Sequence, residues 1–164
     1  MSRYRPKTVP GSPYITAAGY KRLNDELARL WSKRREVTKK LAAAAAEGDR
    51  SENADYIYRK KQLREMDRRI RYLSKRLDGI NVVDRVPADQ QRVFFGAWVT
   101  VEDENGQRQE YRIVGPDEFD PACNWISMDS PLAKAVLGKA CSDVVELKLP
   151  DDRQDIEIVA VRYS

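Results

Sequence analysis

Two long stretches of the chain carry apolar residues at alternating three- and four-residue steps. The first places Tyr20, Leu23, Leu27, Leu30, Val37, Leu41 and Ala44 in one seam, with Arg34 its one basic member. The second places Tyr56, Leu63, Met66, Ile70, Leu73, Leu77 and Ile80, interrupted by Arg59. A 3.5-residue spacing held over about four heptads buries one narrow stripe and leaves the other faces wet, the pattern of a two-helix coiled coil. Thr16 is a suitable N-cap for a first helix that runs to residues 42–46 and stops near Gly48; a second runs from about Ser51 to Leu77, with Asp78-Gly79 at its end. The stretch from Gly48 to Tyr56 then forms the turn of an antiparallel hairpin. Each arm of about 30 residues is roughly 45 Å long at 1.5 Å per residue.

Beyond residue 81 the period changes from 3.5 to 2. Residues 93–101 and 111–114 flank Asp103-Glu104-Asn105-Gly106, whose Asn-Gly pair is a strong hairpin turn signal. Residues 125–128, 144–149 and 156–163 read as further strands. Ser130-Pro131 opens a short helix over 132–137, because Ser caps well and Pro is favoured at the first helical position. The expected fold class is α+β: a basic, Pro-containing lead-in at 1–15, a helical hairpin at 16–81, a linker at 82–91, and a small, mostly antiparallel β domain with one helix at 92–164.

Charge divides along the same line. The net charge of +4 conceals a hairpin region, residues 17–80, with 18 basic against 10 acidic residues, and a second half, residues 81–164, with 9 against 16. A basic rod joined to an acidic globule points to two different contact surfaces. The chain has no histidine, which removes the commonest general base and transition-metal ligand together. Cys123 and Cys141 are isolated and read as buried, reduced thiols. No run of 18 apolar residues and no signal-peptide pattern is present, so a cytoplasmic protein without a membrane contact, acting as a monomer, is the expectation.

The residues richest in chemistry lie in the turn. Asp49 and Glu52 stand three apart at a helix start, the spacing of a capping box, and Ser51 is an equally good cap. The same two carboxylates, exposed at the end of a rod, suit a hard divalent cation such as Mg²⁺, weakly unless a second molecule supplies further ligands. Lys60, Lys61, Arg64, Arg68, Arg69, Arg71, Lys75 and Arg76 crowd the second helix. They read either as a solvated coiled-coil flank or as a surface for phosphates. Tyr56 and Tyr58 could stack on a base, although Tyr56 occupies a seam position.

The segment Gly48-Asp49-Arg50-Ser51-Glu52-Asn53-Ala54-Asp55-Tyr56, followed by Tyr58, Lys60-Lys61 and Arg68-Arg69, resembles the hairpin of the bacterial Gre transcript-cleavage factors, in the GreB form. Trp31, residues 93–99, Arg112-Ile113-Val114-Gly115 and residues 129–133 resemble the same family. The resemblance implies that the hairpin enters the secondary channel of RNA polymerase and presents Asp49 and Glu52 as catalytic carboxylates. There they would share a Mg²⁺ with the polymerase while it cleaves backtracked RNA near the nascent 3′ end. It also implies supporting roles for Ser51, Asn53 and Tyr56, RNA contact by Lys60, Lys61 and Arg64, and an FKBP-like second domain whose Asp129, Ser130 and Pro131 bind the channel rim. The factor would not be an enzyme itself but a catalytic cofactor of the polymerase. The competing expectation is a secondary-channel regulator that does not cleave, and a third is a free-standing RNA-binding hairpin.

Overall fold

The computed structural model describes residues 10–47 and 53–163. They fall into two compact units, Ala18–Ile80 and a second that joins the chain up to Ala17 to the chain from Asn81 onward.

The first unit is built on α1 (Ala17–Ala46) and α2 (Ala54–Gly79). Their partners run in opposite directions along the sequence. Asn53 Nδ2 donates to the Ala44 carbonyl at 2.8 Å, Arg34 Nε meets Asp67 at 2.6 Å, and Arg69 grips Glu26 through two bonds of 2.7 and 3.1 Å. Leu23, Val37 and Ala44 of α1 and Met66, Ile70 and Leu73 of α2 are buried, while the remaining apolar seam residues are half-buried. The stripe is thus the one that the heptads specify. The two basic seam residues keep their guanidinium groups at its edge, Arg34 on Asp67 and Arg59 near Asp55 at 3.5 Å.

The second helix is capped differently from the sequence expectation. Asn53, not Asp49 or Ser51, is the N-cap, and its side chain accepts the Tyr56 N–H at 3.1 Å. Asn, Asp and Ser cap about equally well. Asn53 alone among them also carries an amide donor, which it uses on Ala44.

In the second unit β3 (Trp98–Glu102), β4 (Arg108–Val114), β5 (Trp125–Ser127), β6 (Val144–Lys148) and β7 (Arg153–Arg162) form one sheet in the order β5-β4-β3-β7-β6, antiparallel except between β4 and β5. Strand alternation turns Val99 and Val101 inward to meet Ile113, Val145, Ile156 and Ile158, with Ala133 and Val136 of α3 (Pro131–Val136) completing the core. The β3–β4 turn forms as expected, Asp103 Oδ1 accepting from Asn105 N and Gln107 N. The strand expected over 93–101 begins only at Trp98. Residues 94–97 make a turn instead, with Gly96 at φ +86°, a conformation closed to most side chains.

Residues 10–17 were expected to divide between a lead-in and the hairpin. The described part of that segment is docked on the second unit. Strand β1 (Tyr14–Ile15) runs parallel to β2 (Asn81–Val82), and the Asn81 and Val83 N–H groups donate to Pro13 and Ile15 carbonyls. Two carboxylates pin the segment further: Asp129 accepts from Ser12 N at 2.9 Å and from its hydroxyl, and Glu118 accepts from Thr16 N at 3.0 Å and from its hydroxyl. Glu118 is 0 % exposed and also takes the Gly115 N–H at 2.9 Å. The approach is so close that a Cβ on Gly115 would lie 2.0 Å from the Tyr14 carbonyl oxygen. A two-residue strand carries no periodic signal, so this pairing cannot be read from hydrophobic spacing.

Candidate functional site

The hairpin turn is framed by described residues on both sides. On the α1 side Ala44 is buried and the Glu47 N–H bonds back to the Ala44 carbonyl; on the α2 side Asn53 caps its helix and reaches across to the same carbonyl. Asp49, Ser51 and Glu52 belong to the connection between these two ends and lie outside the described residues. The capping task that their spacing suggested is performed by Asn53.

From the turn outward, Tyr56 is half-buried and its ring receives the Lys60 ammonium at 5.8 Å, so it belongs to the seam and not to an open stacking platform. Tyr58 is exposed, with the Arg59 guanidinium 5.4 Å from its ring centroid. Lys60, Lys61 and Arg64 are all exposed on α2, available to a polyanion. The described residues contain no cluster of three or more His, Cys, Asp or Glu side chains that could hold a metal.

In the second unit Asp129, Ser130 and Pro131 come together in the turn before α3. Ser130 Oγ accepts the Ala133 N–H at 3.3 Å and Pro131 opens the helix, as the sequence indicates. The Asp129 carboxylate, expected to face a partner, is held by Ser12. Sequence reasoning missed Ser12 and Glu118, read Thr16 only as a helix cap, and expected both cysteines buried, whereas Cys123 is exposed and Cys141 half-buried. The available signal was a glutamate three residues after Gly115, the reciprocal half of a capping box, which the Gly115 N–H to Glu118 bond realises.

Two surface glutamates have lowered pKa values. The Arg69 hydrogen bond holds Glu26 below the ordinary carboxylate range, and Arg162 does the same to Glu110. Arg162 also lies 4.7 Å from the Trp98 ring, and Arg112 lies 5.2 Å from the Trp125 ring. Strand register places Trp125, Arg112, Trp98 and Arg162 in one row across four strands.

Among known proteins, the family profile for "Transcription elongation factor, N-terminal" matches residues 13–82, and that for "Transcription elongation factor, GreA/GreB, C-term" matches residues 88–163. The chain belongs to the GreA/GreB family. Within it the likeness is to the GreB type. The chain is 53% identical to "Transcription elongation factor GreB" of Pseudomonas aeruginosa, covering 99% of this chain and 98% of that protein. It is 54% identical to the GreB of Xanthomonas axonopodis pv. citri, covering 100% and 99%. Among solved structures it is similar to the transcription factor Gfh1, at 27% identity and a TM-score of 0.46 over 94% of this chain and 99% of that one. Membership makes the protein a transcription elongation factor with RNA polymerase as its partner, in a family that stimulates transcript cleavage. No helix among the described residues is long and apolar enough to cross a membrane.

Proposed function

We propose that the hairpin enters the secondary channel of RNA polymerase and places Asp49 and Glu52 at the polymerase active centre. There they stimulate endonucleolytic cleavage of backtracked RNA, releasing a short 3′ fragment and rescuing arrested complexes. The observation that carries this reading is the Asn53 cap: with α2 capped from outside the pair, and with its amide tied to Ala44, Asp49 and Glu52 are not needed to start the helix.

The donor set fits magnesium, which takes hard oxygen ligands. Asp49 and Glu52 would hold the ion jointly with carboxylates of the polymerase, and as one of the two metals of such a site it would supply charge for either the attacking water or the leaving oxygen. The chain's own contribution is placement. The buried seam holds α1 and α2 together, Asn53 fixes the end of α2 against α1, and Lys60, Lys61 and Arg64 offer charge to the phosphates of the extruded strand. In this reading the protein is not an enzyme alone but supplies catalytic side chains to one. The second unit binds the channel rim through the Asp129, Ser130 and Pro131 turn.

The test is cleavage in stalled polymerase complexes. Asp49→Ala and Glu52→Ala should each lower the saturated cleavage rate by more than the roughly 10–100-fold that loss of a mere hydrogen-bond partner of a metal ligand costs, and leave polymerase binding intact. A double variant that cleaves at the wild-type rate would remove the pair from the mechanism. Altered elongation without any RNA shortening by the unaltered protein would instead make it a non-cleaving channel regulator.

A further inference from the structure

The turn between β5 and α3 follows a short strand at the edge of the sheet. Strand β5 has 3 residues and lies against β4, with its register ending at Val114 and Ser127. Beyond that point the Met128 N–H still reaches the Val114 carbonyl at 2.8 Å. The Asp129 and Ser130 N–H groups fold back on Ser127, on its hydroxyl at 3.0 Å and its carbonyl at 2.9 Å. Of the three side chains in the turn, Ser130 caps α3, Pro131 is exposed, and the Asp129 carboxylate is turned to the docked segment. Both Ser12 donors converge on that carboxylate, the N–H on Oδ2 at 2.9 Å and the hydroxyl on Oδ1. The fit is close, since a Cβ on Gly11 would lie 2.8 Å from Pro116 Cγ and 3.5 Å from Asp129 Oδ2.

The segment has other anchors. The Asn81 and Val83 N–H groups hold the Pro13 and Ile15 carbonyls, each at 2.8 Å, and Glu118 binds Thr16 through both its N–H and its hydroxyl. The consequence of Ser12 therefore falls on Asp129. Two charge-assisted bonds to one carboxylate fix its orientation, and with it the residue next to the N-cap of α3. We infer that Ser12 is a positioning residue for polymerase binding, an inference that rests on the proposed contact of this turn with the channel rim. By gripping Asp129 it sets the turn so that Pro131 is offered to the partner in one conformation. A turn set in advance removes the ordering of a loose side chain from the binding step, a gain of about two- to tenfold in affinity. The hydroxyl responsible stands 117 positions away in sequence from the residue it orients.

Variants of the full chain are compared in stalled polymerase complexes, with cleavage followed against factor concentration and melting temperature measured alongside. Ser12→Ala should raise the half-maximal concentration about two- to tenfold and leave the saturated rate unchanged. Ser12→Thr, which keeps the hydroxyl, should stay near wild type. Thr16→Val removes the hydroxyl that binds Glu118 in the same segment. It should lower the melting temperature at least as much as Ser12→Ala does, yet leave the half-maximal concentration where it was. Pro131→Glu alters the exposed part of the turn and should raise that concentration by itself, which tests the contact directly. Wild-type behaviour of Ser12→Ala beside an impaired Pro131→Glu leaves the contact standing and overturns the positioning role. Wild-type behaviour of Pro131→Glu overturns the contact, and the positioning role with it. Equal impairment by Thr16→Val and Ser12→Ala overturns the inference by making Ser12 a general anchor of the segment. A lower half-maximal concentration for Ser12→Ala overturns it in the opposite sense, with Ser12 a mask over Asp129.

Discussion

At Asn53 a single amide accepts the Tyr56 N–H and donates to the Ala44 carbonyl, closing both helix ends at once. Its two functions separate by substitution. Asn53→Asp keeps the cap and loses the donor, whereas Asn53→Ala loses both, with the cap alone worth about 0.5–2 kcal/mol. Thermal unfolding should rank wild type above Asp and Asp above Ala, and the saturated cleavage rate should follow the same order; equal rates in all three would mean that the framing of the turn does not matter to placement. Glu118 presents a different balance. Truncating it to Ala leaves the Thr16 and Gly115 N–H groups without their acceptor in a buried place, at about 1–3 kcal/mol for each orphaned donor. Urea denaturation should therefore show Glu118→Ala destabilised by more than 1 kcal/mol or so, with Glu118→Gln between it and wild type.

Among the elements, the hairpin is the one tied by ion pairs across its two helices, and the Glu26–Arg69 pair carries a pH dependence of known sign. Glu26 has a native pKa below its ordinary value of 4.5, so its stabilisation is complete above that range and disappears as the pH falls through the lower native value. Thermal melts of wild type and Glu26→Gln should diverge at neutral pH and converge in acid. A constant gap from pH 7 to 3 would show that the pair does not stabilise the fold. The same helices mark what a sequence can reveal. Alternating three- and four-residue steps located α1 and α2 because burial of one stripe is periodic, and Ser130-Pro131 located α3 because capping is local chemistry. What stayed hidden depends on residues far apart. Nothing near Glu118 signals that its partner is Thr16, and nothing near Asp129 signals Ser12. Asp49, Ser51 and Asn53 all suit an N-cap, and only the amide bond to Ala44 distinguishes Asn53. The tip was legible as a family motif, and family membership is what the comparisons bear out.

For the whole molecule, the docked segment from Ser12 to Thr16 means that a cut at residue 82 does not isolate a finished domain. A fragment of residues 82–164 lacks the β1 strand and leaves Glu118 buried without its Thr16 donors. It should melt below the same unit in the full chain and expose more apolar surface to a reporter dye; a fragment as stable as the full chain would show the segment to be dispensable. The order of synthesis gives the same feature another meaning. Ser12 and Thr16 are among the first described residues to leave the ribosome, yet their partners Asp129 and Glu118 follow 117 and 102 positions later. Closing so long a loop from a random chain is slow. The intervening helices can form first from local contacts, and because they are antiparallel they return the chain at Asn81 beside Tyr14, where the parallel β1–β2 register begins. The rod is thus also a clasp: zipping it up early takes the residues between Tyr14 and Asn81 out of the loops that Glu118 and Asp129 must close, before the strands that carry them have been made.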